Sequence, residues 1–372
     1  MYLKDTGLEN LIEVIRDMQV EAGEVLLILL AENDSLDPNE LIKVLNEEKI
    51  SFFGGVFPGI IYEDSRYDRG IILAKYSAPE KPYVIKDFTA VDELIPDMAT
   101  LQADREQKLT ALVFVDGLAG DIDLFLNRLY NHLSDTVTYI GGGAGSLSLQ
   151  QKPCLFTAEG FLQNAAVVAF INLQCSLGVR HGWKKITGPS VVTRSDKNII
   201  YELNWRNAFD VYSEIIENDS GKRPTKENFF DLAKGYPFGM FRKHSEYVVR
   251  DPIAIGDKGE LICVGEVPEN SVIDVLKGEK QNLVNAAGQA ASECVLPGDQ
   301  KADSCLVADC ISRVLFLEDC FSAELAEVKK ALQGISTAIV PMGALTLGEI
   351  SSYGDGNLLF FNKTIVIGLF YE

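Results

Sequence analysis

The sequence lacks most of the patterns on which catalytic and metal-binding sites are built. Its three histidines do not lie at metal-ligand spacing from one another or from a cysteine pair. No CxxC, CxxCH, HExxH or GxSxG pattern occurs, and no glycine run is followed by GKS or GKT. Because neither a nucleophile–base pair nor a metal-ligand set is visible, we expect a protein that is not an enzyme.

Long apolar runs are also missing, and basic residues are outnumbered by acidic ones. The longest runs, residues 25–31 and 165–171, fall far short of the roughly 20 residues that a membrane-spanning helix needs. Residues 1–12 lack the apolar stretch of a signal peptide. Acidic residues outnumber basic ones by 54 to 34, so the net charge is −20. Such a surface repels phosphate backbones and anionic lipids, which argues against nucleic-acid and membrane partners.

Length and cysteine usage define the class of protein. A chain of 372 residues is too long for one hydrophobic core, so we expect two domains. The seven cysteines are an odd number and lie mostly in apolar, strand-like runs. This usage favours a reducing cytoplasm over a disulfide framework, and we predict a cytoplasmic location.

One module occurs twice and, we predict, a third time. Residues 25–59 and 111–146 each read as a buried strand, an amphipathic helix and a second short strand that ends on glycines. Residues 304–343 repeat the pattern less clearly. We therefore predict the α/β class, with two domains whose mixed sheets are built from repeated β-α-β-β modules. The predicted domains are residues 23–208 and 209–372.

Three local predictions belong to the second half of the chain. Apolar spacing predicts a helix over residues 204–218. A second helix is predicted over residues 322–332, with Ser322 as its N-cap. A strand is predicted over residues 337–342 and is expected to end at Gly343, as the glycines are expected to end the corresponding strands of the other modules.

The glycine run at residues 141–145 is the first candidate for ligand contact. A phosphate-binding loop needs a helix directly after it, and here a polar segment containing Pro153 follows instead. Glycines that let backbones pack closely at a sheet edge explain the run without any ligand. A third interpretation is that Gly142, Gly143 and Ala144 line a cleft and offer backbone amides to a small ligand.

Arg250 and Glu349 form the second candidate. Arg250 is expected to close an apolar strand, and Glu349 stands between a glycine and an isoleucine in a predicted loop. An arginine can bind a carboxylate through two parallel hydrogen bonds. The pair is interpreted either as a structural salt bridge or as a clamp for the two ends of a zwitterion such as an amino acid.

A cysteine and two histidines complete the candidates. Cys310 is followed three residues later by Arg313, a cation that could lower the pKa of the thiol, although a buried cysteine used as a small apolar residue is the ordinary case. A haem would need an axial ligand such as histidine. His181 and His244 are the candidates for that role, although an exposed or hydrogen-bonded imidazole without a ligand is the ordinary case.

Several short motifs, in their order and spacing, resemble the FIST family, with a FIST N-terminal domain followed by a FIST C-terminal domain. The resemblance covers nearly the whole chain from about residue 23. The motifs that carry it are Asp116-Gly117-Leu118, Ile140-Gly141-Gly142-Gly143-Ala144-Gly145, Tyr236-Pro237-Phe238-Gly239, Arg250-Asp251-Pro252, Gly265-Glu266-Val267-Pro268-Glu269, Cys310-Ile311-Ser312-Arg313, Thr346-Leu347-Gly348-Glu349-Ile350 and Phe361-Asn362-Lys363-Thr364.

The resemblance implies a bacterial, cytoplasmic sensory module for small ligands, with amino acids as the proposed class. Related proteins are haem-binding nitric-oxide sensors, which is the alternative function. It implies signalling in trans to a histidine kinase or a cyclic-dinucleotide enzyme, because no output domain is visible here. A pure interaction scaffold is a further alternative. The ligand-binding residues expected on these grounds are Gly142, Gly143, Ala144, Arg250, Cys310, Arg313, Glu349 and Asn362.

Overall fold

The structure, a computed structural model, describes residues 1–4, 7–101, 109–241, 247–352 and 357–372. The first module opens with a short strand that pairs within its sheet and a helix that packs on the sheet. Its second helix begins at Pro38, where Asp37 accepts a hydrogen bond from the backbone N–H of Asn39. Its elements are β1 (Tyr2–Leu3), α1 (Leu8–Asp17), β2 (Glu24–Ala31), α2 (Pro38–Glu47), β3 (Phe52–Phe57), β4 (Gly59–Tyr62), β5 (Ser65–Tyr67) and β6 (Ile71–Ser77).

The second module repeats this order. Its central strand, β8, is buried along its whole length, as expected for a strand covered on both faces. The elements are β7 (Tyr83–Ile85), α3 (Val91–Leu94), α4 (Met98–Leu101), β8 (Leu109–Asp116), α5 (Ile122–Leu133), β9 (Val137–Ala144), β10 (Leu155–Thr157), β11 (Gly160–Leu162) and β12 (Ala166–Ile171).

An antiparallel barrel follows the second module. The strand β14 pairs with both β20 and β15, and these pairings close the sheet on itself. The elements of this region are β13 (Gln174–Arg180), β14 (Lys184–Asp196), β15 (Ile199–Leu203), β16 (Arg206–Asn207), α6 (Ala208–Ser220), α7 (Phe229–Ala233), β17 (Phe238–Met240), β18 (Val248–Ile255), β19 (Leu261–Val264) and β20 (Val272–Lys277).

The third module is present, as the sequence predicted. Its strands β21 and β22 pair in parallel, as β2 pairs with β3 and β8 with β9. The α/β class with mixed sheets is thereby confirmed. The elements are α8 (Lys280–Glu293), β21 (Ala302–Cys310), α9 (Ile311–Leu317), α10 (Phe321–Ile335), β22 (Pro341–Thr346), β23 (Glu349–Ser351), β24 (Leu359–Phe361) and β25 (Ile365–Tyr371).

Each module gives the hairpin that follows its second parallel strand to another module. The hairpin β4–β5 of the first module pairs with β22 of the third. The hairpin β10–β11 of the second pairs with β3 of the first, and β23–β24 of the third pairs with β9 of the second. The three sheets are therefore linked in a closed cycle of exchanged hairpins.

The three sheets surround a common apolar core. Side chains alternate along each central strand, so that Leu27, Leu112 and Leu306 face this core. Their neighbours Ile28 and Val307 face the helices that cover the outside of their sheets. The loops that follow β8 and β21 lie beside the barrel.

Three local predictions need correction. The helix predicted from residue 204 begins at Ala208, because Asn204 and Trp205 adopt positive φ in the β15–β16 turn and Asn207 caps the helix. Ser322 lies inside α10 and makes no cap hydrogen bond. The strand predicted over residues 337–342 runs over β22 instead.

The module glycines lie inside strands rather than at their ends. Gly54, Gly141 and Gly343 occupy equivalent positions opposite Ile28, Val113 and Val307. A Cβ atom at each would lie 1.9, 1.7 and 1.8 Å from the carbonyl oxygen of that partner residue. Glycine is required there because the neighbouring backbone leaves no room for a side chain.

The predicted domain boundary at residues 208 and 209 stays a prediction. Strands β14, β15 and β16 precede it but belong to the barrel, whose other strands follow it.

Among the described residues, no helix is both long and apolar enough to cross a bilayer.

Candidate functional site

A cavity of about 660 Å³ lies where the second module, the third module and the barrel meet. The second module contributes the loop from β8 into α5, residues 117–123. The third contributes residues 310–312, where β21 passes into α9, and the barrel contributes residues 263–266 at the end of β19. Ligands of α/β proteins bind preferentially at such carboxyl ends of parallel strands. This position and size make the cavity the candidate site.

The loop from β8 is fixed by the carboxylate that ends the strand. Oδ1 of Asp116 accepts from the backbone N–H of Leu118 at 3.0 Å, and Oδ2 accepts from the N–H of Asn164 at 2.9 Å. Gly117 passes close to the third module, since a Cβ atom there would lie 2.7 Å from Cβ of Leu347. The second and third modules are thus in contact beside the cavity.

Apolar side chains form much of the wall and rim. Leu315, Leu347 and Phe360 line the interior, and Leu347 and Phe360 are almost fully buried. Leu149 and Phe230 also line the cavity although 50% and 42% of their surface is exposed. Apolar walls with a few polar groups are the usual lining of a small-molecule site.

The charged groups of the lining are mainly acidic: Asp121, Asp123, Asp251 and Glu266 against Lys197. The Nζ atom of Lys197 lies 2.9 Å from Oδ1 of Asp121, so these two charges compensate each other. The Oδ2 atom of Asp251 lies 3.0 Å from the Nζ atom of Lys363, which is fully buried behind the wall.

Burial and repulsion act on two of these carboxyl groups. Burial raises the pKa of Asp251, and the neighbouring Lys363 ammonium opposes the rise. Burial also raises the pKa of Glu266, and repulsion from Asp123 and Asp121 raises it further. The negative form of each group is therefore less favourable inside the cavity than in water.

Arg250 lies in the middle of β18 rather than at its end, and it stands behind the cavity wall with 3% of its surface exposed. Its Nε donates to the carbonyl oxygen of Glu266 at 2.8 Å, and its Nη1 donates to that of Phe360 at 2.9 Å and to Oδ1 of Asn362 at 3.4 Å. Its Nη2 lies 3.5 Å from Oδ2 of Asp123. These four partners line the cavity, so Arg250 positions the wall.

Glu349 is not paired with Arg250. It lies in the strand β23, not in a loop, and is fully buried. Its Oε1 accepts from the hydroxyl of Thr346 at 2.8 Å and its Oε2 from the backbone N–H of Thr364 at 3.2 Å. Burial raises the pKa of Glu349 to about 8. It does not line the cavity, so the structure does not bring the two expected clamp residues together there.

Cys310 and Asn362 do line the cavity, whereas Arg313 does not. Arg313 is fully buried, and its Nε and Nη2 donate to the carboxylate of Glu324 at 2.9 and 2.7 Å. The guanidinium is thus committed to Glu324. Burial raises the pKa of the Cys310 thiol well above its usual value, and the nearby Glu349 adds to the rise, so the thiol stays protonated.

The expected glycine loop is part of a strand. Gly142, Gly143 and Ala144 form the end of β9, and none of them lines the cavity. The N–H of Gly143 donates to the carbonyl oxygen of Gly348 at 2.8 Å, so it pairs within the protein. These residues let β9 approach the third module closely, which is the structural interpretation of the run.

No histidine of the described residues lines the cavity, so none of them supplies an axial haem ligand there. His181 is 3% exposed, its Nδ1 accepts from the backbone N–H of Trp183 at 2.8 Å, and it does not line the cavity. His244 lies outside the described residues. Axial ligation there would fall to Cys263 or Cys310, and burial raises the pKa of both thiols and so disfavours the thiolate.

Sequence reasoning missed Asp123, Asp251 and Glu266 as candidate residues. Asp251 and Glu266 nevertheless stand inside the short motifs that carried the family resemblance, beside Arg250 and Gly265. The signal that could have found them is topological. The first strands of the second and third modules end at Asp116 and Cys310, and the loops that follow them line the same cavity.

The comparisons with known proteins agree with the resemblance. The sequence matches the FIST N domain over residues 24–206 and the FIST C domain over residues 208–352. A search of the curated proteins finds no match. The cavity is lined from both matched domains, and FIST domains serve in sensory signal transduction rather than catalysis. With its N and C domains in order along nearly the whole sequence, the chain belongs to the FIST family.

Proposed function

We propose that this protein is a cytoplasmic sensor whose small, amino-acid-like ligand occupies the cavity between the two FIST domains. The observation that carries the proposal is the lining itself. A ligand there contacts residues 117–123 of the N domain and residues 263–266 and 310–312 of the C domain at the same time. Binding therefore stabilises one arrangement of the two domains relative to others, which is the requirement for a signal.

Each part of an amino acid finds a matching region of the lining. The apolar side chain packs against Leu315, Leu347 and Phe360, and the ammonium group faces the carboxylates. The carboxylate faces the first turn of α5, which begins in the cavity and whose N-cap residue, Asp121, makes no side-chain cap hydrogen bond. The N–H groups of a first helical turn favour negative charge.

The other expected site residues take indirect roles in this proposal. Arg250 and Asn362 hold the wall, and Cys310 adds a neutral thiol to the lining. The signal passes in trans to a separate output protein, such as a histidine kinase or a cyclic-dinucleotide enzyme. No observation in the described residues favours the haem alternative.

Thermal unfolding in the presence of each of the twenty amino acids tests the proposal. A ligand at about 100 times its dissociation constant adds about 2.7 kcal/mol to the free energy of unfolding, which raises Tm measurably. Gly120→Trp should abolish the shift, because Gly120 lines the cavity and a Cβ atom there has no other atom within 4 Å, which leaves room for the indole to occupy the ligand's space.

The matched control is Gly120→Ala, which adds only a methyl group and should keep the shift. A ligand that binds Gly120→Trp as tightly as it binds the unchanged protein would place the site elsewhere. The absence of a shift with every amino acid would contradict the amino-acid class.

A further inference from the structure

The charged residues that line the cavity indicate which head group the ligand carries. We infer that the cavity recognises its ligand through a positively charged ammonium group, held by Asp251 and Glu266, and that a ligand carboxylate is not required. The inference rests on the proposed function and narrows its ligand class. Primary amines with an apolar body should bind at least as well as the corresponding amino acids.

Asp251 provides the first observation. Its carboxyl group is 2% exposed and lines the cavity. Oδ2 is paired with Lys363, whereas Oδ1 accepts no hydrogen bond from any described residue. Ser312 lies near the carboxyl group but not at hydrogen-bond geometry to Oδ1. A buried carboxylate oxygen without a donor is costly, so this atom is a place where a ligand N–H contributes binding energy.

Glu266 provides the second observation. Among the described residues, its carboxylate makes no hydrogen bond or ion pair, although its backbone carbonyl is held by Arg250. Asp123 and Asp121 repel it more strongly than Lys197 and Arg250 attract it. A ligand ammonium relieves this repulsion and gains an uncompensated partner.

The lining offers far less to an anion. Its lysine, Lys197, is already 2.9 Å from Asp121. The guanidinium of Arg250 is buried behind the wall and donates to Glu266, Phe360 and Asn362. A ligand carboxylate at the first-turn amides of α5 is opposed by the carboxylates of Asp121 and Asp123. The carboxylate of an amino acid is therefore tolerated rather than required.

The cation is organic rather than a metal ion. Within the described part of the chain, no three acidic, histidine or cysteine side chains are grouped closely enough to hold a metal. The wall beside Asp251 and Glu266 includes Ile253, Leu315 and Phe360, which suit a hydrocarbon body.

Three matched series of probes separate the head groups. Isopentylamine, leucine and 4-methylpentanoate share one body, and 2-phenylethylamine, phenylalanine and 3-phenylpropionate share another. Agmatine and arginine extend the test to a long cationic body. Titration calorimetry on the full chain at neutral pH gives the affinities. We expect at least one amine to bind as tightly as its amino acid or more tightly, and each carboxylate to bind at least tenfold more weakly.

Two variants test the assigned residues. Glu266→Gln keeps the backbone carbonyl that Arg250 binds and should weaken the amine about tenfold, because charge-assisted hydrogen bonds are roughly twice as strong as neutral ones. The matched control is Glu269→Gln, since Glu269 lies three residues along and outside the lining. Asp251→Asn should weaken the amine as well, with circular dichroism used to confirm that the variant folds.

The outcomes separate this inference from the proposed function. Carboxylates that bind as tightly as amines, or an amine affinity unchanged in both Glu266→Gln and Asp251→Asn, would overturn the ammonium assignment. If such binding is still lost in Gly120→Trp, the sensor proposal survives. If none of these probes binds, the inference fails, and if none of the twenty amino acids binds either, the amino-acid class of the proposed function fails as well.

Discussion

The first and third modules have the same fold but opposite chemistry at equivalent positions. Asp309 occupies in β21 the place of Leu30 in β2 and Val115 in β8, as the registers opposite Gly343, Gly54 and Gly141 show. All three residues are almost fully buried. The first module fills the position with a hydrocarbon, whereas the third fills it with a carboxyl group.

The exchanged hairpins show the same contrast. Glu349 pairs opposite Gly142, Leu155 opposite Gly55, and Ile60 opposite Ala344. The first and second modules thus carry an apolar residue where the third carries a carboxyl group. Burying charged groups costs more free energy than burying apolar side chains. The module fold does not require polar residues at these positions, so we assign the buried polar cluster to the surroundings of the site. Its members are Asp309, Arg313, Glu324 and Glu349.

Breaking the buried pair of Arg313 and Glu324 should have the largest effect. Arg313→Leu leaves a buried carboxylate without its partner and should lower the free energy of unfolding by about 3–5 kcal/mol in urea denaturation. The double variant Arg313→Leu with Glu324→Leu should lose less free energy of unfolding than Arg313→Leu alone, since no buried carboxylate is left without its partner. A double variant that loses as much as the two single changes together would contradict this account.

The glycines test what the modules share. Gly54→Ala and Gly343→Ala should each lower the free energy of unfolding by about 1–3 kcal/mol or more, and the two losses should be similar. The reason is that the added methyl group meets the carbonyl oxygen of the neighbouring strand in both modules. Gly334→Ala in α10 is the control, since no atom lies within 4 Å of the added group. Tolerance of either strand substitution in a thermal melt would count against equivalence of the modules.

The pH dependence of stability should distinguish Glu349 from its apolar counterparts. Its pKa is raised from 4.5 to about 8 by burial, so between these pH values the folded protein holds a proton that the unfolded chain releases. The free energy of unfolding should therefore fall as pH rises through this window.

Glu349→Gln removes this contribution. The difference in free energy of unfolding between the unchanged protein and the variant should change by about 1–2 kcal/mol between pH 5 and pH 8. One pKa unit corresponds to about 1.4 kcal/mol, and relaxation of the surroundings around the new charge reduces the total. Paired urea titrations at the two pH values measure it. A constant difference would mean that the pKa of Glu349 in the folded protein is not raised above its value in the unfolded chain.

Asp309→Val should have the smallest effect. Burial raises the pKa of Asp309 well above its usual value, and neither carboxyl oxygen has a hydrogen-bond partner among the described residues. Valine already fills this place at Val115, and Arg313 keeps Glu324. We expect a change within about 1 kcal/mol in either direction. A loss of several kcal/mol would show that the 3.4 Å contact between Asp309 and Arg313 is a strong ion pair.

The fold was more accessible from the sequence than the site. Period-2 and helical apolar patterns are local, so they were enough to predict the modules, including the third. The sequence suggested that Arg250 pairs with Glu349, and the structure does not bring the two together, because hydrogen-bond partners depend on which strands are neighbours. Arg250 reaches Phe360 across 110 positions of the chain, and no local pattern encodes that contact. The same holds for the exchanged hairpins.

The cycle of exchanged hairpins has a consequence for how the chain folds during synthesis. Ile60 pairs with Ala344, and Gly142 pairs with Glu349, so two of the three sheets stay incomplete until nearly the whole chain has emerged. Until then β9 and the β4–β5 hairpin present unpaired edges, which are prone to wrong association. Such distant pairing also implies slow folding. The two FIST domains should therefore gain their native structure together, in one late and cooperative step.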